Sequence, residues 1–498
     1  MKSSNSGYIL SFDQGTTSSR AILFNHDGAI VAMAQRPLRQ YYPEPGWVEQ
    51  DANEILESQL AVAREAIAKA GIGPEEIASI GITNQRETVV MWDKDSGRPV
   101  YRAIVWQCRR STAICEELVS SGLEDEFRAR TGLRLDPYFS GTKLCWLFRE
   151  IPGLKALAEN GEILFGTVDS WLLWNLTGRH ETDITNASRT LLFNINDGTW
   201  DPMLLSVLGI PPQVLPKIQS SADDFGVTKP EIFGVSIPIS GVVGDQQAAL
   251  FGHACFSPGM AKNTYGTGCF SLLNTGNKPV WSKNNLLTTV AWRIGGKTTY
   301  ALEGSVFIAG AVIQWLRDEM RFIETAEETE GISRSIPDTN GVYFVPAFVG
   351  LGAPYWDPDA RGTIVGITRG VTSAHLVRAA LESIAYQSED LIAAMGSDFG
   401  KPVESIKADG GATANSFLMQ FQADISGRPV LLPEIAESTA LGAAYMAGIS
   451  CGYWDGVAEI ENNWRLKRRF EPDMNEKDRL KRLALWHKAV QAAREYKK

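Results

Sequence analysis

Residues 8–25, YILSFDQGTTSSRAILFN, have the pattern of a β-hairpin, in which two β-prone apolar runs flank a short polar connection. The first run ends in a lone acid, Asp13, and the second begins with a single cation, Arg20. The connection carries three hydroxyl groups, those of Thr16, Thr17 and Ser18. Because its backbone is also small, a bulky anion could approach it closely.

This hairpin allows two interpretations. A carboxylate at a strand end can hold a hydrated Mg²⁺, which prefers oxygen ligands, and an arginine can offset phosphate charge. An acid, hydroxyl groups and an arginine within eight positions therefore suit a nucleotide-phosphate site. In the alternative, the segment is an ordinary polar hairpin, with Asp13 and Arg20 in solvent and the small residues serving the turn.

The composition indicates a folded protein with more than one domain. With 498 residues the chain is too long for one hydrophobic core, and its 44% hydrophobic and 21% charged residues are typical of globular proteins. The net charge of −10 argues against nucleic acid or an anionic membrane as the main partner. A small anionic ligand remains compatible with it, because local cations matter more than the total charge.

The cysteines and the hydrophobic runs bear on the compartment. The six cysteines include no CxxC pair, which predicts reduced thiols in the cytoplasm. Residues 1–7 are too short and polar for a signal peptide. The longest charge-free runs contain Pro or several Gly and are shorter than a membrane span. We therefore expect a soluble cytoplasmic protein with no membrane insertion.

The next segments alternate between helix and strand. Residues 51–70 have apolar positions at helical spacing and end at a glycine, and 77–93 read as two strands around a polar break. This α/β pattern predicts a mainly parallel or mixed sheet, in which ligands bind at strand ends. Arg86 and Glu87 lie at such an end and could grip adjacent hydroxyl groups, or they could form a solvated turn.

From residue 237 we expect the pattern to begin again. A strand runs into Asp245, a small-residue helix follows, and a second hairpin around the turn YGTG spans 260–274. An acid and a phosphate-sized turn would then occur once in each half, as in two homologous domains that face a shared cleft. We place the boundary near residue 254, which gives two domains, 1–254 and 255–498.

Three segments of the second half require separate interpretation. AWRIGGKT at 291–298 fits a loose phosphate-loop pattern, but a β-prone run follows it, so we interpret Gly-Gly there as a hairpin turn. We predict a helix over 304–319, and over 403–424 a strand, a Gly-Gly turn and a helix N-terminus that could accept an anion. The basic run at 465–469 is most simply a solvated helix face.

Two long segments resemble the signatures of the FGGY family of carbohydrate kinases, namely YFSGTKLCWLFRE at 138–150 and GTIVGITRGVTSAHLVRAALE at 362–382. SFDQGTTSSR, GITNQRET, AIVWQCRR, GDQQAALFG, KNTYGTGCF and DGGATANSFLMQFQAD are most similar to members of that family that act on glycerol. The likeness covers about residues 7–455. It implies an α/β fold with two actin-like (ribonuclease H-like) domains flanking a nucleotide- and substrate-binding cleft.

The resemblance also implies an activity, ATP-dependent phosphorylation of glycerol to sn-glycerol 3-phosphate in glycerol catabolism, with Mg²⁺, by a homo-oligomer (dimer or tetramer). Asp245 would be the general base, because a weakly nucleophilic alcohol needs a group that accepts its proton. The residues implied to bind glycerol are Arg86, Glu87, Tyr138, Asp245 and Gln246 at its hydroxyl groups and Trp106 and Phe270 at its carbon side. Those implied to bind ATP are Thr16, Thr17, Ser18, Arg20, Thr267, Gly310, Gln314, Gly411, Ala412 and Asn415, with Asp13 near Mg²⁺.

Two departures from the family concern regulation. Relatives that fructose 1,6-bisphosphate inhibits have an arginine before an Ile-Pro pair, where this chain has Ser236. Other relatives are activated by phosphorylation of a loop histidine, and residues 217–240 contain no histidine. We therefore expect neither form of control.

Two rival functions remain open. One is a sibling kinase for a pentulose or gluconate, which would need more polar contacts and a wider pocket than Trp106 and Phe270 indicate. The other is a non-catalytic ATP-binding or chaperone-like module, which predicts ATP binding without alcohol-dependent turnover.

Overall fold

The computed structural model describes residues 7–496, and its two large β-sheets are built from different parts of the chain. The strands of the first part are β1 (Tyr8–Gln14), β2 (Ser18–Phe24), β3 (Ile30–Pro37), β4 (Glu49–Gln50), β5 (Ile77–Asn84), β6 (Val90–Asp93), β7 (Ala103–Ile104), β8 (Ile163–Gly166), β9 (Glu181–Asp183), β10 (Phe193–Asn194), β11 (Thr199–Trp200), β12 (Lys217–Gln219) and β13 (Ile239–Gly244). Its helices are α1 (Ala52–Ala70), α2 (Thr112–Ser120), α3 (Glu124–Thr131), α4 (Ser140–Glu150), α5 (Leu154–Glu159), α6 (Val168–Thr177), α7 (Ile184–Ala187), α8 (Pro202–Leu208), α9 (Pro230–Phe233) and α10 (Asp245–Gly252).

The second part contributes the remaining elements. Its strands are β14 (Ala261–Tyr265), β15 (Cys269–Gly276), β16 (Leu287–Ile294), β17 (Lys297–Val306), β18 (Tyr343–Val345), β19 (Thr363–Val365), β20 (Ile406–Asp409), β21 (Val430–Pro433) and β22 (Leu466–Phe470). Its helices are α11 (Gly310–Asp318), α12 (Glu328–Arg334), α13 (Ser373–Phe399), α14 (Ser416–Ser426), α15 (Ser438–Cys451), α16 (Val457–Asn463) and α17 (Glu476–Glu495). Short 3₁₀ turns occur at Pro74–Glu76, Pro212–Val214 and Gly411–Ala414.

The two large sheets share a five-strand core, to which the second sheet adds β16 and β22 at its edges. The first has the strand order β13-β5-β1-β2-β3, in which β1 pairs antiparallel with β2 and parallel with β5. The second has the order β16-β17-β15-β14-β20-β21-β22, in which β14 pairs antiparallel with β15 and parallel with β20. A hairpin strand at the centre with parallel strands on one side thus occurs twice, which confirms the predicted α/β fold with two actin-like halves.

Helix α15 joins the two halves although it comes late in the chain. It packs on β5 and β13 of the first sheet and crosses α10, and Ser11 Oγ on β1 donates to its Ala440 carbonyl at 2.7 Å. The crossing requires a glycine, since a Cβ at Gly442 would lie 1.9 Å from the Ala248 carbonyl oxygen. This contact fixes α10, whose first residue is Asp245.

The pattern does not begin again at residue 237, as the sequence had led us to expect. Strand β13 pairs parallel with β5 and belongs to the first sheet, whereas the second sheet begins with β14 at Ala261. Asp245 therefore follows the last strand of the first sheet. A strand followed by an acid reads the same in either sheet, because its pairing partner is distant in sequence.

Three further local predictions, a turn, a helix and a basic run, have different outcomes in the structure. The Gly-Gly pair joins β16 to β17 as a tight hairpin turn, with both φ angles positive (55° and 76°), so rejecting the phosphate-loop pattern was correct. The helix predicted over 304–319 begins only at Gly310, because β17 continues to Val306. The prediction of a helix face at 465–469 is wrong, since most of this basic run lies in the edge strand β22. At a sheet edge, exposed charged side chains discourage pairing with another chain. Within residues 7–496, none of the helices combines the length and apolar character needed to cross a membrane.

Candidate active site

The carboxyl ends of three parallel strands meet at one edge of the first sheet. In the register of β1, β5 and β13, Gln14 lies beside Asn84, and Asn84 lies beside Gly244. The residues next to these ends are Asp13, Arg86, Glu87 and Asp245. The structure thus brings together the acids and the arginine that the sequence singled out in three separate segments.

The first hairpin places Asp13 opposite Arg20. The two residues are register partners, and Arg20 Nη2 lies 2.9 Å from Asp13 Oδ2. The same guanidinium reaches the second half of the chain, where its Nη1 donates to Glu437 Oε2 at 2.7 Å. Burial raises the pKa of Asp13, and the Arg20 cation opposes that shift. Asp13 and Arg20 are therefore an ion pair and not the two solvated side chains of an ordinary hairpin.

Arg86 connects the two halves beneath the strand ends. Its Nη1 and Nη2 each donate to a carboxylate oxygen of Glu303 on β17 at 2.8 Å, and its Nε lies 3.1 Å from Asp245 Oδ1. The side chains of Arg86 and Glu303 are 2% and 0% exposed. Burial alone would raise the pKa of Glu303, but Arg189 and Arg86 outweigh it and lower that pKa to about 2.

Glu87 is held by a second arginine. Arg189 Nε donates to Glu87 Oε1 at 2.6 Å, and its Nη2 donates to Glu303 Oε1 at 3.1 Å. Glu87 has a φ of +60°, which is uncommon for a residue with a side chain, and Ser140 Oγ donates to its carbonyl at 3.0 Å. Fixed backbone and fixed carboxylate together give Glu87 one orientation.

Three aromatic rings lie together near these charges. Trp106 packs edge-on against Tyr138 and Phe270, with ring centroids 5.4 and 6.3 Å apart. The indole Nε1 of Trp106 donates to Thr16 Oγ1 at 2.8 Å. This bond joins the aromatic cluster directly to the hydroxyl-bearing turn of the first hairpin.

Asp245 combines a buried environment with an accessible carboxylate. Its side chain is 29% exposed, and its Oδ1 accepts a bond of 2.7 Å from the Gln246 backbone N–H. Burial raises the pKa of Asp245, while Arg86 and Lys262 lower it. A carboxylate with a raised pKa in a cleft is a candidate proton acceptor.

The second hairpin turn lies against two helix N-termini. Gly310 N–H, at the start of α11, donates to the Gly266 carbonyl at 3.0 Å, and a Cβ at Gly310 would lie 2.7 Å from that oxygen. A Cβ at Gly410, which precedes the 3₁₀ turn of Gly411 and Ala412, would lie 2.4 Å from the Tyr265 carbonyl oxygen. Glycines at both positions let these two segments approach the backbone of the second hairpin turn closely.

The other residues predicted to bind the nucleotide differ from one another in their surroundings. Thr267 accepts backbone bonds from Ala309 and Ala311 at 2.9 and 3.1 Å, which fixes the turn to α11. Asn415 caps α14 by accepting from Leu418 N–H at 2.9 Å, and its Nδ2 donates to Thr329. Gln314 is exposed on α11. This helix-capping role explains why an asparagine is present at position 415 without requiring a bound ligand.

Sequence reasoning missed four charged residues of this site, Arg189, Lys262, Glu303 and Glu437. A signal existed for Glu303, which interrupts the apolar second half of β17, because a charge buried in a sheet requires a partner. Lys262 gave no such signal, since its strand AKNTY is largely polar. Within residues 7–496, no group of three or more His, Cys, Asp or Glu side chains is arranged to hold a metal ion. Mg²⁺ in phosphoryl-transfer sites is commonly bound by one or two carboxylates plus substrate phosphates, so Asp13 alone remains compatible with it.

Comparison with known proteins gives consistent results across the chain. The models of the N-terminal and C-terminal domains of the FGGY family of carbohydrate kinases match residues 8–252 and 261–451. Glycerol kinase of Caldanaerobacter subterraneus subsp. tengcongensis is 58% identical over 488 residues, with 98% of both chains covered. Glycerol kinase 2 of Thermotoga maritima is 58% identical over 485 residues, covering 97% of this chain and 98% of that protein.

Among solved structures, Plasmodium falciparum glycerol kinase with ADP superposes with a TM-score of 0.92 at 38% identity, covering 98% of both chains. Xylulose kinase from Lactobacillus acidophilus has a TM-score of 0.87 at 22% identity, covering 98% of this chain and 97% of that one, and shows the shared fold. With both family models matched and relatives aligned over nearly its full length, the chain belongs to the FGGY family of carbohydrate kinases.

Proposed function

We propose that this chain phosphorylates glycerol to sn-glycerol 3-phosphate with ATP, with Asp245 as the general base. Relatives named glycerol kinase at 58% identity support the substrate, and a relative crystallised with ADP supports the nucleotide. The observation that carries the mechanism is the position of Asp245, a partly exposed carboxylate 3.1 Å from Arg86, whose guanidinium also donates to Glu303 of the second half.

The acceptor side combines charged residues with a cluster of aromatic rings. We assign Arg86, Glu87, Tyr138, Asp245 and Gln246 to the hydroxyl groups of glycerol and Trp106 and Phe270 to its carbon side. The carboxylates can accept hydrogen bonds from the hydroxyl groups of glycerol, and Arg86 can donate hydrogen bonds to the hydroxyl oxygens. Trp106 packs edge-on against both Tyr138 and Phe270, so the three rings form one apolar cluster beside the charged residues.

The nucleotide side uses both hairpin turns. We assign the ATP phosphates to the turn of Thr16, Thr17 and Ser18 with Arg20, and the remaining phosphates and adenosine to the region between Thr267, Gly310, Gln314, Gly411, Ala412 and Asn415. Asp13 would hold Mg²⁺, which supplies charge neutralisation to the phosphates when bound. Trp106, bonded to Thr16, would keep the two substrates in register.

In the chemical step, a hydroxyl oxygen of glycerol forms a bond to the terminal phosphorus of ATP while the bond from that phosphorus to ADP breaks. The hydroxyl proton passes to an Asp245 carboxylate oxygen. A primary alcohol is weakly nucleophilic, so a positioned base contributes a rate factor of about 10²–10⁴. Water is smaller than glycerol and competes as an acceptor, so we expect the two halves to close around the substrates and exclude it.

The experiment is an assay of ADP release with and without glycerol. Glycerol-dependent release, together with weak release with pentuloses or gluconate, would support the proposal, and ATP binding without alcohol-dependent turnover would contradict it. In Asp245→Asn we expect kcat to fall by about 10²–10⁴ with a modest change in KM for glycerol, because only the proton acceptor is lost. Near-normal turnover of this variant would exclude Asp245 as the base.

We place the reaction in the cytoplasm and assign it to glycerol catabolism. All six cysteines lie within the described residues and are free thiols, five of them buried, as is typical of a reducing compartment. The expected homo-oligomer stays a prediction, as do the absence of inhibition by fructose 1,6-bisphosphate and the absence of activation through a phosphohistidine.

A further inference from the structure

One buried lysine connects the two sides of the cleft next to the proposed glycerol site. Lys262, on β14, is fully buried, and its Nζ donates to Gln246 Oε1 at 2.5 Å, to Thr264 Oγ1 at 2.9 Å and to the Phe270 carbonyl at 3.2 Å. An ammonium group has three protons, and these three acceptors match them. Two of the three contacted residues, Gln246 and Phe270, are residues that we assign to glycerol.

The contact fixes which end of the Gln246 amide is available. Because an ammonium group only donates, Gln246 must turn its carbonyl oxygen toward Lys262, and an NH₂ there would set a donor against a donor. Its Nε2 is then the end left for a ligand, and it can only donate. Burial lowers the pKa of Lys262 to about 8 against the opposing effect of Asp409, Asp245 and Glu303, so the ammonium form predominates at pH 7.

Apart from the Tyr138 hydroxyl, donors to the substrate are scarce among the residues that we assign to glycerol. Arg86 has five N–H groups, and four of them already reach Gln247, Asp245 and both oxygens of Glu303. At most one is left for a substrate hydroxyl. Each hydroxyl has a single proton, so one that donates to Asp245 or Glu87 must accept from a protein donor to complete its bonds.

We propose that Lys262 is a positioning residue that holds Gln246 as a hydrogen-bond donor and thereby sets the hydroxyl pattern that the acceptor site recognises. Lys262 acts through Gln246 and does not itself contact the polyol. This inference rests on the proposed function, because it assumes that Gln246 binds the phosphoryl acceptor.

The test is a double-mutant cycle on the full chain with Lys262→Met, Gln246→Ala and the double variant, read as KM for glycerol, KM for ATP and kcat. Lys262→Met should raise KM for glycerol by about 10- to 100-fold, the usual effect of a misdirected buried hydrogen bond, with much smaller changes in kcat and in KM for ATP. The double variant should be no worse than the worse single variant, because both changes remove one interaction.

The chain offers a matched control. Lys407 lies beside Lys262 in the register of β14 and β20, is also buried, and donates to the His253 carbonyl at 2.6 Å. Lys407→Met removes a buried ammonium group without touching Gln246 and should leave KM for glycerol within about twofold of the wild type. An equal rise in KM for glycerol in both lysine variants would overturn the inference, since it would reflect a general loosening of the sheet.

Additive effects of Lys262→Met and Gln246→Ala, or a fall in kcat with KM for glycerol unchanged, would also overturn it. If Lys262→Met does not fold, Lys262→Gln retains an N–H donor of shorter reach, and the same criteria apply to its cycle with Gln246→Ala. A wild-type chain without glycerol-dependent ADP release would refute the proposed function itself. Wild-type turnover combined with an additive cycle would refute only the role of Lys262.

Discussion

Replacing Glu303 by glutamine tests whether the buried ion pairs hold the cleft together. Glu303 is fully buried and accepts from Arg86 at 2.8 Å through each oxygen and from Arg189 at 3.1 Å. Glu303→Gln keeps the shape of the side chain but removes its charge and turns an NH₂ toward a guanidinium group. Two buried arginines then share only the remaining carboxylates, Glu87 and Asp245.

The size of the effect follows from the pKa of Glu303, which the arginines lower from 4.5 to about 2. A depressed folded-state pKa means that the stabilisation is present above the unfolded value of 4.5 and is lost as pH falls toward 2. The shift corresponds to about 3 kcal/mol of unfolding free energy at pH 7. Removing one partner of a buried pair typically costs about 3–5 kcal/mol, a range that includes this value.

The assay is equilibrium unfolding in urea at pH 7, paired with KM for glycerol. We expect the unfolding free energy to fall by about 3 kcal/mol and KM to rise, because Arg86 loses the carboxylate that orients it. Glu382→Gln is the control, since Glu382 is also buried and accepts from Arg378 at 2.8 Å. Burial raises the pKa of Glu382 despite Arg378, so its neutralisation should cost far less and leave KM unchanged.

A loss below about 1 kcal/mol in Glu303→Gln would show that the pair contributes only what an exposed pair does, and the reasoning from burial would be wrong. An unchanged KM for glycerol would separate Glu303 from the acceptor site even if stability fell. The first result would remove the structural link between the two halves on which the account of the site depends, and the second would remove only the link between that pair and glycerol binding.

Three other predictions concern the substrates. Arg86→Ala should raise KM for glycerol more than it lowers kcat. It should also lower Tm, because Glu303 loses its bidentate partner. Loss of ATP binding with KM for glycerol unchanged would show that Arg86 does not belong to the glycerol subsite. Trp106→Phe removes the bond of 2.8 Å to Thr16 and should raise KM for ATP and for glycerol by about 2- to 10-fold in steady-state kinetics, and an effect on neither would contradict a link between the subsites. In a pH profile, kcat should fall as pH drops through a pKa above the ordinary aspartate value of 3.8, because burial raises the pKa of Asp245 and the base must be ionised; an acid limb below that value would contradict the assignment.

Much of the fold could be predicted because its signals are local. The hairpin around Thr16 and Thr17 follows from β-prone runs and a short polar turn, and the structure has β1 and β2 at these positions. The first helix ends where Gly71 adopts φ +68°, a conformation that favours glycine. Each of these features depends on residues a few positions apart, so one sequence contains the whole signal.

The assignment of strands to sheets could not be predicted in the same way. Strand β13 pairs parallel with β5, whose residues lie more than 150 positions earlier, and its own sequence would suit the edge of either sheet. The strand β22 contains four exposed residues and one buried one, a composition that helix faces and edge strands share. In both cases the deciding contact is with a distant part of the chain.

In the candidate site, too, the reactive residues could be predicted from the sequence but their partners could not. Asp13, Arg20, Arg86 and Asp245 stand next to turns or strand ends, where a polar residue is visible in the sequence as an exception. Glu303 is also an exception, in the apolar second half of β17, and a charge that a sheet buries needs an opposite charge or several hydrogen bonds. The sequence therefore contains the information that partners exist. It does not say which they are, because Arg86 and Glu303 are 217 positions apart and belong to different halves of the chain.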